Sequence, residues 1–238
     1  MKTRAISLIL GVSLLCQSLL AQEIEHSIEE LYLQSDIETV IIKAEAESSD
    51  RDLKMSALKK IASIVEHGSA SDNAETMDVL GYLAGESVSN IAREKRHVLN
   101  DYPEVRRESV RLLGLIGSDR AVHELERVLS NDSEPIVVAE AILAIASIDI
   151  ENRALRDRLI AKAVQRQDFF IKDSLFASTF LRSVEMIVQR DGNKISPAIL
   201  AEVMSIAEAG SGYNQSVRKR ASKLIRNLQN LIGISTSP

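Results

Sequence analysis

The chain has 238 residues, a formal net charge of −5, one cysteine, no tryptophan and 3% aromatic residues. An acidic chain fits nucleic-acid binding poorly, because that affinity rests on neutralising phosphates. The lone cysteine, Cys16, excludes an intrachain disulfide and a thiolate metal centre. No alternating apolar and polar runs flanked by turn signals occur, so an all-α protein with essentially no sheet is expected.

Residues 1–21 read as a secretory signal peptide. Lys2 and Arg4 precede an apolar stretch, Ala5 to Leu15, then a mixed stretch ending at the small residue Ala21, the expected cleavage point. The apolar stretch is short of the roughly 20 residues that span a bilayer. Retention as a membrane anchor through residues 5–21, or lipid attachment at Cys16, are the alternatives; bulky Leu15 just before the cysteine counts against the second. Residues 22–49 hold two apolar stripes: Ile24, Ile28 and Leu31, then Ile37, Val40, Ile41 and Ala44. They are expected to form a pair of helices that cover the first of a series of helical repeats. Charge is uneven: residues 22–90 carry 5 Lys and Arg against 15 Asp and Glu, whereas residues 91–238 are mildly basic. The acidic end is either a solvated face or a docking surface for a basic partner.

From residue 50 onward one pattern recurs five times. Counting from Leu53, Val105, Val137, Phe176 and Val217, positions +4, +8 and +11 are apolar or small each time, as in Ser109, Leu113 and Ile116, or Ala141, Ile145 and Ile148. These offsets share one helical stripe, and recurrence of such a helix marks a stacked repeat. Between these A helices lie B helices with their own stripes: Met77, Leu80 and Leu83; Val122, Leu125 and Val128; Leu155, Leu159 and Val164; Leu200, Val203 and Ala207. Caps set the boundaries. Asp72 with Glu75, Ser118 or Asp119, Asp132 ahead of Pro135, Asp173, and Ser196-Pro197 read as starts, and Gly210 as a stop. Residues 50–232 thus form the repeat array, and residues 233–238 an unstructured tail.

The anchors lie 52, 32, 39 and 41 residues apart, which places an insert at residues 86–100. It gathers Arg93, Lys95, Arg96 and His97. Inserts in solenoids often carry binding. Alternatively Ile91, Val98 and Leu99 pin it to its own repeats.

No catalytic constellation emerges. The four histidines have no partner at metal-ligand spacing, no glycine-rich loop precedes Lys-Ser/Thr, and no nucleophile elbow occurs. No metal, cofactor or catalytic residue is expected. The basic run Arg218, Lys219, Arg220, Lys223 and Arg226 reads as the solvated face of a terminal helix.

The run Asp101-Tyr-Pro-Glu-Val-Arg-Arg-Glu-Ser-Val-Arg-Leu-Leu-Gly-Leu-Ile-Gly resembles the HEAT-repeat family, including its short lyase-type subclass; Ser216-Val-Arg-Lys-Arg-Ala is similar again. Val138, Ala177 and Lys54 depart from it where the family prefers arginine. The resemblance implies a right-handed α-solenoid of about five HEAT-like repeats with an N-terminal helical cap, A helices outside and B helices lining a concave face. It also implies that Arg106 and Arg218 pair with acidic residues of neighbouring turns, Asp101 or Asp132 serving Arg106. The function expected is that of an exported, non-catalytic scaffold or adaptor that binds a protein partner. That partner would sit on the B face at Arg120, Glu124, Arg127 and Arg156, and on the insert at Arg93, Arg96, Asn100 and Tyr102. The alternatives are a self-associating envelope component and a lyase-like maturation enzyme with a deep apolar cleft.

Overall fold

The computed structural model describes residues 28–66, 73–94, 97–170, 172–192 and 194–235. The signal segment and Ile24 lie outside the described residues, as do Asp72 and Arg96. The chain divides into two units, residues 1–40 and 41–238. In the first, the described residues are the opening turns of α1 (Ile28–Glu47).

The second unit continues α1 and adds α2 (Arg51–Glu66), α3 (Ala74–Ala84), α4 (Pro103–Ile116), α5 (Asp119–Asn131), α6 (Pro135–Ser147), α7 (Arg153–Phe170), α8 (Ser174–Asp191), α9 (Pro197–Ala207) and α10 (Gln215–Ser235). Helices α2, α4, α6, α8 and α10 pack successively on one another as an A row, and α3, α5, α7 and α9 do so as a B row. This is an α-solenoid. The recurrent stripe is its core. Val105, Ser109, Leu113, Val137, Ala141, Ile145, Phe180, Val184 and Ala221 are all fully buried.

Local chemistry sets the helix ends. Ser118, Asp173 and Ser196 cap α5, α8 and α9 by accepting backbone N–H bonds, and proline opens α4, α6 and α9, where its missing N–H costs nothing. Gly117, at φ 65°, ends α4 and donates its N–H to the Leu113 carbonyl, a left-handed stop suited to glycine.

At the other ends, a helix leaves its last carbonyls unpaired. Helices α1, α3, α5 and α6 have no basic residue in their last turn. A cation from a later helix fills the role. Lys54 donates to the Ala46 carbonyl at 2.8 Å and Arg127 to Gly81 at 3.2 Å. Arg166 donates to Ser130 and, at 2.6 Å, to Asp132. Arg190 reaches Ala146 at 3.0 Å and Ile148 at 2.9 Å.

The structure corrects several expectations. Two capping helices were expected over residues 22–49; among the described residues there is one, α1, with Ile42 and Ala46 buried and Ile41 exposed. Leu53 is exposed and its neighbour Lys54 is buried. Asn73 caps α3, its side chain accepting from the Glu75 N–H. Asp132 is the C-cap of α5, and Glu134 precedes Pro135 as the N-cap of α6. Helix α9 ends at Ala207, before Gly210. In α7 the buried register is Arg156 and Ile160, one residue on from Leu155 and Leu159. Arg218 finds the Ala209 carbonyl at 3.1 Å in place of a carboxylate. Helix α10 runs past Gly233 to Ser235, into the tail expected to be unstructured.

Gly114 sets the closest approach between A helices. A Cβ placed there would stand 2.6 Å from the Ala144 Cβ and 3.0 Å from its Cα, so α4 and α6 meet almost backbone to backbone. Gly114→Ala is expected to cost about 1–3 kcal/mol, read as a lower urea midpoint with an unchanged m-value. Adding Ala144→Gly should recover part of the loss. An unaltered midpoint for Gly114→Ala would mean the two helices lie farther apart than described.

Candidate interaction surface

The insert between α3 and α4 is a tethered ribbon. Strands β1 (Arg93–Glu94) and β2 (His97–Val98) pair antiparallel, Arg93 opposite Val98 and Glu94 opposite His97. At their base the Asn100 side chain donates to the Asn90 carbonyl at 2.6 Å and accepts from the Ala92 N–H at 2.9 Å. Ser87, at φ 56°, turns the chain so that its N–H meets the Asn90 carbonyl.

Two charge clusters bolt this base to the solenoid. Lys54 and Glu86, each 1% exposed, pair at 2.7 Å, and the Lys54 ammonium lies 5.5 Å from the Tyr82 ring centroid. Arg106 bonds Asp132 at 2.8 Å, Asp101 at 2.8 Å and the Ser87 hydroxyl at 3.0 Å. Both carboxylates expected for Arg106 therefore serve it together. The hydrogen bond from Arg106 holds the Asp101 carboxyl below the usual range against the upward push of burial.

The outer part of the ribbon exposes apolar side chains. Ile91, Val98 and Leu99 are 46%, 40% and 50% exposed. The expectation that they pin the insert is corrected, since Asn100 and Glu86 do the pinning. Arg93 is exposed beside them.

The other expected site residues scatter. Asn100 is buried in the ribbon base, and the Tyr102 hydroxyl donates to the Ser49 carbonyl at 3.1 Å. On the B row, Arg120 pairs with Asp78, Glu124 with Arg127 at 3.2 Å, and Arg127 binds the end of α3. These three tie α5 to α3 or to itself. Arg156 is fully buried between Asp157 and Asp191 and presents nothing to a partner. Among the described residues no cluster of three or more His, Cys, Asp or Glu side chains is placed to hold a metal. No helix among them is long and apolar enough to cross a membrane.

The model of the family described as HEAT repeats matches residues 95–168, which run from the outer ribbon through α4, α5, α6 and α7. Residues 95–168 carry HEAT repeats. No curated protein matches it. HEAT repeats generally serve as protein-interaction scaffolds and are typically non-enzymatic, and the paired A and B rows on either side of the matched residues continue the same architecture.

Proposed function

We propose that this protein is an exported, non-catalytic adaptor that docks a partner protein on the ribbon of residues 86–100. The observation that supports this is the contrast within the insert. Its base is held by a buried ion pair and a buried arginine cluster, while Ile91, Val98 and Leu99 face solvent. A loop fixed at its base loses little conformational entropy on binding, and contiguous exposed apolar groups mark interaction sites.

The signal-like start, Lys2 to Ala21, supports export, which the N-terminal mass of the protein recovered from the extracytoplasmic fraction will check. The docking surface is tested by cross-linked capture from the cell envelope with mass spectrometry. A partner recovered with wild type should be lost with Ile91→Asp/Leu99→Asp. It should persist with Met204→Asp, an exposed apolar position on α9. Equal recovery with both variants would remove the ribbon from the interface.

A further inference from the structure

The last helix carries an unbalanced charge. Helix α10 holds Arg218, Lys219, Arg220, Lys223 and Arg226 and no Asp or Glu. Arg220 is neutralised by Glu185 at 2.6 Å. Lys219, Lys223 and Arg226 are exposed and form no ion pair among the described residues. Their spacing of four and three residues puts them on one stripe, and together with Arg218, Gln215 and Ser222 they line one hollow along the helix. Like charges at such spacing disfavour a helix, so the stripe is a standing electrostatic cost that an anionic partner would relieve.

The opposite charge lies in the same chain. Helix α1 and the turn after it present exposed Asp36, Glu38, Glu47 and Asp50, with Lys43 the exposed base among them. The first repeats are acidic and the terminal helix is basic, so one copy offers what another lacks. We propose that the cationic stripe of α10 receives the acidic α1 segment of a second copy. The contact is heterologous, so each added copy presents a fresh stripe, and assembly extends without closing. It uses residues remote in sequence from the ribbon and is independent of the adaptor reading.

Sedimentation velocity on protein purified from cells tests this, at about 0.02 M and about 0.5 M salt, since screening shortens to a few Å at the higher strength. The expected result is a weight-average mass at least about twofold above monomer at low salt, returning to monomer at high salt. Lys219→Glu/Lys223→Glu/Arg226→Glu should be monomeric with an unchanged circular dichroism melt. Mixing it with Asp36→Lys/Glu38→Lys/Glu47→Lys should restore association, which neither gives alone. Ile91→Asp/Leu99→Asp should associate like wild type. A wild-type monomer at low salt, association indifferent to salt, or no recovery on mixing would overturn the proposal. A monomer that instead sediments with phosphatidylglycerol vesicles through the same lysines would assign the stripe to a lipid surface and overturn it equally.

Discussion

Lys54→Ala is expected to destabilise the protein by about 3–5 kcal/mol, the range for removing one member of a buried ion pair. The ammonium is bonded to Glu86 at 2.7 Å and to the Ala46 carbonyl at 2.8 Å, in a setting where both side chains are 1% exposed. Its loss strands the Glu86 carboxylate in a low-dielectric site and leaves the end of α1 unpaired. Most of the cost is that stranded charge, so it should persist in high salt, unlike the loss of a surface pair. A second substitution separates the terms. Lys54→Met/Glu86→Leu removes both charges and keeps most of the volume, and should recover most of the stability. Urea denaturation of the three variants is the measurement. A single-variant loss below about 1 kcal/mol would place the pair in the surface class.

Arg156→Ala is expected to cost a similar amount, about 3–5 kcal/mol, with a pH signature of its own. The guanidinium bonds Asp157 at 2.9 Å and Asp191 at 2.7 Å, and the other Asp157 oxygen accepts the Ser196 N–H at the start of α9. Burial pushes the Asp191 carboxyl up, but hydrogen bonds from Arg156 and Arg190 outweigh it and hold the group below its ordinary range. A carboxyl depressed in the folded state adds stability that is present above its unfolded value, about 3.9, and is lost as pH falls through the folded value. Wild type should therefore lose this contribution only below about pH 4. In Arg156→Ala, Asp191 keeps Arg190 but loses its shortest bond while burial still acts. The acid limb of the stability curve should move to higher pH. Superimposable acid limbs would show that Arg156 does not govern Asp191.

The buried stripe was legible because it repeats. Val105, Ser109 and Leu113 in α4 and Val137, Ala141 and Ile145 in α6 are fully buried at the same offsets in each repeat, so one periodicity betrays them all. The alternation of A and B helices followed from it, and the uneven anchor spacing exposed the insert. What failed was the placement of charge. A pattern that counts apolar residues chose Leu155 and Leu159 in α7 and passed over Arg156, because an arginine is buried only when its carboxylates come with it. One of those lies 1 residue away and the other 35. Lys54 and Glu86 escaped for the same reason. Val98 and Leu99 look like anchors as a dipeptide. Their exposure follows from Asn100 and Glu86 having taken the inward positions, a choice made by hydrogen bonding that hydropathy does not register.

The cations that close the helix ends have a direction. Lys54 serves Ala46, Arg127 serves Gly81, Arg166 serves Asp132 and Arg190 serves Ile148. In every case the donor comes later in the chain than the carbonyl it satisfies. Dependence is therefore one-way. A chain emerging from its N-terminal end exhibits each of these four helices with a bare terminus until the segment that seals it has emerged, up to 46 residues behind in the case of Arg127 and Gly81. Each of these bonds that is severed by trimming the array from its front loses its acceptor and leaves its donor behind, whereas trimming from the back takes the donor and leaves a bare helix end, so the two halves of the solenoid are not equivalent as independent fragments.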